Sequence, residues 1–218
     1  MAQLEQTSRI EEAAWSDRQQ AVLDAALELL VENGDAVTMT AVARRASCSK
    51  ETLYKWFGDR DGLLTAIVRW QASKVHVAAF DEATLDAVSL RARLTEYAAN
   101  WLRVIIGHRS IALNRVAIAH AGSGRSALGA IVLANGRFAL GKRMLPVLDA
   151  GRARGLLEFK DAEDAFRTLF GLIARDIQIR LLLGDRVEMT DADCQGEAAR
   201  ATRQFLALYG AAEPETTH

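Results

Sequence analysis

Between positions 38 and 60 the chain runs Thr38-Met-Thr-Ala-Val-Ala-Arg-Arg-Ala-Ser-Cys-Ser-Lys-Glu-Thr-Leu-Tyr-Lys-Trp-Phe-Gly-Asp-Arg60. Thr38 is suited to cap a short helix, its hydroxyl accepting from a free backbone N–H. In that helix Val42 and Ala43 point inward, and Ala46 is small where a second helix must cross. Ser47 and Cys48 then form a turn, and Ser49 caps the next helix, expected from Lys50 to about Phe57. Leu53, Trp56 and Phe57 anchor its inner face, which leaves Lys50, Glu51, Thr52, Tyr54 and Lys55 outward. Two short helices joined by a turn of a few residues make a helix-turn-helix, whose second helix can enter the major groove of DNA.

Working outward, the rest of the chain also reads as helix. Proline occurs only at Pro146 and Pro214, and no segment alternates as a strand would. Apolar residues recur at helical spacing instead: Val22, Ala26, Leu29 and Leu30, then Leu90, Leu94, Tyr97 and Trp101, then Leu128, Ile131 and Phe138. Breaks are expected at Asn33-Gly34, Gly58, Ala83-Thr84, Gly107, Gly122 to Gly124, Gly155, Gly184 and Gly210. The expected class is all-α, with about nine helices. Short helices fill the first third and long ones follow. An N-terminal three-helix helix-turn-helix domain over 17–64 is therefore expected before a larger helical bundle over 65–212. Residues 1–16 are expected as a flexible arm and 213–218 as a tail.

The net charge is −1, so the whole chain is no polycation. From Thr38 to Arg60, however, Arg44, Arg45, Lys50, Lys55 and Arg60 face only Glu51 and Asp59, a local +3 that leaves −4 elsewhere. A small basic face on a mildly acidic body suits a DNA reader, because phosphate neutralisation is local. The two cysteines, Cys48 and Cys194, have neither metal-ligand nor paired spacing and fit a reducing compartment. Positions 1–20 hold no apolar signal core and no stretch approaches a membrane span, so a cytoplasmic protein is expected.

At this point the sequence resembles the TetR family of transcriptional regulators. The family pattern is Thr-x-x-x-Ile-Ala, a turn, Ser-x-x-Thr-Leu-Tyr-x-x-Phe, and a basic residue opening the fourth helix. Here it is carried by Thr38, Val42-Ala43, Ser49, Thr52-Leu53-Tyr54, Phe57 and Arg60, within a resemblance spanning Ala21 to Ile67. Two departures are small. Ser47 stands where glycine is usual, which predicts a left-handed serine. Arg60 replaces lysine and keeps the charge. The resemblance implies phosphate contacts from Thr40, Tyr54 and Arg60. Lys50 and Glu51 are expected at base edges, since lysine donates to guanine acceptors and glutamate accepts from cytosine N4. Ser49, Thr52, Arg44, Arg45 and Lys55 complete the expected DNA-binding set.

The resemblance also implies a repressor, released from a pseudo-palindromic operator by a small, largely apolar effector, with a homodimer formed by the last two long helices. From Ala165 to Leu183 one apolar stripe runs through Phe166, Leu169, Phe170, Ile173 and Ile177, and a second through Leu172, Ile179 and Leu183. A helix apolar on two sides must bury both. Phe166, Phe170, Ile173, Ile177, Phe205 and Tyr209 are therefore the expected dimer contacts. Leu145-Pro146, Ala153 to Leu156, Leu182 to Gly184 and Phe205 to Gly210 are similar to the AefR-like branch of the family. Effector contacts need polar groups among apolar walls. The candidates are Trp101, His108, Asn114, His120, Asn135, Phe138 and Asp176, although Asp176 can instead pair with Arg180.

Catalysis is not expected. Gly122 to Ala127 fits a dinucleotide fingerprint and Gly136 to Lys142 nearly fits a phosphate loop, but neither follows a strand. The four histidines lack metal-ligand spacing, there is no GxSxG elbow, and no cofactor is implied. Two alternatives stay open from sequence: control by a protein partner in place of a small molecule, and activation in place of repression.

Overall fold

Many of the helices begin where a side chain able to accept a backbone N–H precedes an apolar periodic run. The computed structural model describes residues 15–33, 37–122 and 127–211. The first four helices are α1 (Asp17–Asn33), α2 (Met39–Arg45), α3 (Lys50–Phe57) and α4 (Arg60–Ser73). A 3-10 turn at Glu82–Thr84 leads to α5 (Ala87–Ile106) and α6 (His108–Ala119). Then come α7 (Leu128–Val132), a π-helical turn (Leu133–Phe138) and α8 (Ala139–Ala153). The chain closes with α9 (Ala162–Ala174), α10 (Ile177–Leu182) and α11 (Asp191–Tyr209). No strand occurs among the described residues; Leu157 and Gly210 form an isolated bridge. Most of the expected arm, the tail, and nearly all of the Gly122-to-Ala127 fingerprint lie outside the described residues. Gly136 to Lys142 is helical throughout, which rules out a strand-loop-helix phosphate site there.

Caps fix most of the helix starts. Backbone N–H groups donate to Thr38 (3.2 Å), Ser49 (3.1 Å), Asp59 (2.8 Å), Asp86 (2.8 Å), Asp161 (2.8 Å) and Thr190 (3.2 Å). Each such cap stabilises by about 1 kcal/mol. Arginines from distant helices close two of the C-termini. Arg143 donates to Ala72 O (2.6 Å) and Val75 O (3.0 Å) after α4, and Arg115 to Leu181 O (2.6 Å) and Leu182 O (3.2 Å) after α10.

The buried apolar residues form two clusters. One joins α1 to α4 around Leu23, Leu27, Leu53 and Ile67, and it is completed by Leu113, Ala117 and Leu128 from α6 and α7. The other joins α5, α8, α9 and α11 around Tyr97, Trp101, Phe166 and Phe205. Gly141 allows the close approach of α8 to α9, since a Cβ there would lie 2.9 Å from Cε1 of Phe166. No helix among the described residues is long and apolar enough to cross a membrane.

One expectation is corrected. The single helix read from 165 to 183 breaks at Arg175, whose φ of 43° no continuing helix allows. The expected dimer contacts are largely turned inward. Phe166, Ile173, Ile177 and Phe205 are buried in the chain's own core, and Phe170 and Tyr209 are half-buried against it. Their ring contacts are internal: Trp101 with Phe166 and Phe170, and Phe205 with Tyr209. The other stripe faces outward, with Ile179 54 % and Leu183 80 % exposed.

Candidate functional site

The helix-turn-helix is built as its residues dictate. Leu53 is fully buried and Phe57 nearly so, which fixes one face of α3 against the first core. The opposite face carries Lys50, Glu51, Tyr54 and Lys55, all exposed, with Tyr54 at 53 %. Thr52 is half-buried, and its hydroxyl shares a 3.0 Å hydrogen bond with Ser49. Glu51, in the first turn, stays ionised more readily than usual because its own backbone N–H and the Ser49 hydroxyl hydrogen-bond to its carboxylate. Thr40 and Arg44 are exposed on the neighbouring α2.

Two expected members sit differently. Arg45 is drawn back onto α1, where its guanidinium hydrogen-bonds both carboxylate oxygens of Glu32 and lies 3.9 Å from Glu28. Both partners are part-exposed, and the pair holds the guanidinium on the α1 side of the head. Arg60 is half-buried, and its Nε donates to Val37 O at 3.1 Å, which ties the start of α4 to the loop before α2.

The turn adopts the conformation its serine implied. Ser47 has φ of 50°, and Cys48 N–H returns to Ala43 O at 3.0 Å. Sequence reasoning missed Arg18 on α1, whose guanidinium donates to Ala46 O (3.0 Å) and Ser47 O (2.8 Å) and clamps the turn from outside. Ser47→Gly is expected to relieve the left-handed strain and stabilise the protein by up to about 1 kcal/mol, net of glycine's extra chain entropy. A thermal melt should show a midpoint about 2 °C higher. A lower midpoint would contradict the strain.

A polar network ties this head to the rest of the chain. Arg109 on α6 donates to Asp24 (2.7 Å) and Glu28 (2.9 Å) on α1. Trp70 on α4 donates its indole N–H to the same Asp24 at 3.3 Å. Three helices thus meet at two carboxylates.

Beside that network lies a cavity of about 310 Å³. Its walls come from α4 (Val68, Gln71, Ala72), α5 (Trp101, Val104, Ile105), α6 (Ser110, Leu113, Asn114) and the π turn (Leu133, Gly136, Arg137). Of the expected effector contacts, Trp101 and Asn114 line it. His108 lines an adjoining open recess, and Phe138 a second one behind Arg137. Asn135 turns its amide back to Ile131 O at 3.2 Å. His120 does not reach the cavity wall. Asp176 is exposed, 3.8 Å from Arg180, and lines a separate open recess instead of this cavity. Gln71, Arg137, Phe170 and Gln178 line the cavity and were missed.

Comparisons with known proteins agree with this arrangement. Residues 22–67 match the family model described as bacterial regulatory proteins, tetR family. Residues 92–211 match the model described as AefR-like transcriptional repressor, C-terminal domain. A TetR transcriptional regulator from Agrobacterium tumefaciens is 45 % identical, with 90 % of this chain and 96 % of that one aligned at a TM-score of 0.76. The flavonoid-responsive regulator FrrA, at 23 % identity, shares the fold over 88 % of this chain and 97 % of its own, with a TM-score of 0.65. The HTH-type transcriptional regulator YdeS of Bacillus subtilis is 47 % identical over 45 residues, which span 20 % of this chain and only 23 % of that relative.

Proposed function

Because the chain belongs to the TetR family of DNA-binding transcriptional regulators, we propose that it is a repressor which reads a pseudo-palindromic operator as a homodimer and is released by a small molecule. The observation that carries the DNA-reading part is the outer face of α3. A helix anchored by Leu53 and Phe57 holds Lys50, Glu51, Tyr54 and Lys55 free to enter a groove. Lys50 and Glu51 are assigned to base edges, and Tyr54, Thr40, Arg44 and Lys55 to the phosphate backbone. Residues 17–64 act as the reading head and 65–212 as the sensing and pairing body.

The dimer is assigned to the outward faces of α9 and α11. Gly171 and Gly196 there have open space where a Cβ would stand, and Leu208 is exposed. Small outward residues let helices of two copies approach closely.

The cavity is assigned to the effector. Its α4 wall leads directly to α3, and its α6 wall carries Arg109, the residue that grips α1. A ligand that displaces either helix changes the setting of the head, and the loss of operator affinity equals the ligand's preference for the non-binding state. That FrrA is named as flavonoid-responsive supports small-molecule control in this fold.

Arg109→Ala is expected to loosen the head while leaving the second core intact. Stability should fall by about 1–3 kcal/mol, the value of charged hydrogen bonds left unmade. Hydrogen exchange should rise in α1 and stay unchanged in α11; a uniform rise would refute the local coupling. The function itself is tested by fluorescence anisotropy of the purified protein on DNA from upstream of its own gene, at two salt concentrations. Saturable binding that random duplex fails to compete away, and that weakens with salt, is expected. Equal affinity for random duplex would contradict specific reading of that site.

A further inference from the structure

One arginine of the body lies among aromatic rings. Arg137 leaves the π turn half-buried, and its guanidinium stacks on Phe170 at 4.3 Å and Phe166 at 4.9 Å. Among the described residues it has neither an ion-pair partner nor a hydrogen-bond acceptor. Glu163 lines the recess behind it and pairs with Arg167 at 3.7 Å. Burial draws the guanidinium below its ordinary pKa, against opposing effects that include the attraction of Glu163, but an arginine remains charged. Partial withdrawal of a cation from water without an acceptor is unfavourable, and the stacked rings offset part of that cost.

A second observation lies in the same cavity. Gln71 on α4 is only 7 % exposed, lines the cavity, and its amide Nε2 is buried with no hydrogen-bond partner. A native interior rarely leaves a side-chain donor unsatisfied, so this amide is available to an acceptor on a molecule bound in the cavity. Two donors without acceptors, Arg137 and Gln71, therefore border a space whose other walls are Trp101, Leu113, Leu133 and Phe170.

We infer that the effector is an amphipathic organic anion: an apolar or aromatic body seated against Trp101 and Phe170, with one carboxylate-like head accepting from Arg137 and Gln71. This rests on the cavity being the effector site, as proposed above. The anion supplies the charge and the acceptor that the protein lacks, and its body fills the apolar part of the cavity. A neutral analogue of the same shape leaves both donors unmatched. A site built to hydrogen-bond a ligand group discriminates strongly against analogues that lack it. Arg137 belongs to the π turn, with its guanidinium over both phenylalanine rings.

Two dyes of one skeleton test it on the full-length protein. 8-Anilinonaphthalene-1-sulfonate carries an anion, and N-phenyl-1-naphthylamine is the same ring system without it; binding of each is read from dye fluorescence. The wild-type protein is expected to bind the sulfonate at least about tenfold more tightly than the amine. Arg137→Met should weaken the sulfonate by roughly ten- to a hundredfold and leave the amine within about twofold. Arg137→Lys, which keeps a point charge, should retain part of the preference and guards against a misfolded Met variant. Ser110→Trp, which fills the cavity from α6, should weaken both dyes. Equal wild-type affinity for the two dyes, or a preference unchanged in Arg137→Met, would overturn the anionic class and leave the cavity as effector site. No binding of either dye, or full binding of both to Ser110→Trp, would remove the cavity as the site and the proposal with it.

Discussion

Gly62→Ala is expected to lower stability by about 3 kcal/mol or more, beyond the usual range for an added methyl group in a packed region. The corner between α3 and α4 is the reason. Gly58 turns the chain there with φ of 77°, and Asp59 caps α4 by accepting from Gly62 N–H at 2.8 Å. A Cβ at position 62 would stand 1.9 Å from the carbonyl oxygen of Phe57. That oxygen belongs to the backbone and cannot rotate away. Either α3 moves off α4, uncovering Phe57 and Leu63, or the cap at Asp59 is lost. For a protein of this length the thermal midpoint should fall by roughly 10 °C. Operator affinity should fall further than the unfolded fraction explains, because the seating of α3 depends on this corner. A midpoint within about 2 °C of wild type would mean that the corner relaxes freely.

The second large effect is expected at Lys50. If it donates to base edges, Lys50→Ala should cost about 1–3 kcal/mol on the operator, roughly five- to 150-fold in affinity. Binding to random duplex should change little beyond one lost charge, and the preference should relax at one position of each half-site. Tyr54→Ala should behave differently. A hydroxyl on phosphate carries no sequence information, so its loss weakens specific and non-specific binding alike, without relaxing the preference. Competition titrations with single-position operator variants separate the two patterns. A uniform loss for Lys50→Ala would reassign it to the backbone.

Local chemistry made much of the head legible in the sequence. Thr38 and Ser49 act as the caps their positions suggested, and Ser47 takes the left-handed turn in place of the usual glycine. These features depend on neighbours within a few residues. Arg18 meets its acceptors 28 and 29 positions away, and Arg109 reaches Asp24 across 85. Nothing in the spacing of charges announces such pairs before the helices are placed. Arg45 shows the same limit from the other side, since its partner Glu32 lies on a helix that the basic stretch does not include.

The body was legible as helices but not as faces. Periodicity marks Phe166, Ile173 and Ile177 as apolar without saying which stripe meets the chain's own core. Packing against Trp101 and α11 decided that. The π turn was hidden because its five-residue hydrogen-bond step departs from the 3.6-residue repeat by which helices are recognised. With it were hidden Arg137 and the cavity. Gln71 reads in the sequence as an ordinary polar position on α4, and only its burial gives it meaning.

Selection from a random duplex library, with wild-type protein alongside the Lys50→Ala, Tyr54→Ala double variant, tests the central claim most directly. The expected result is an enriched pseudo-palindrome for the wild type, with half-site centres about 34–36 Å apart or a multiple of that, and no enrichment for the double variant. If the wild type enriches no sequence, or the double variant enriches the same one, α3 is not the element that reads DNA.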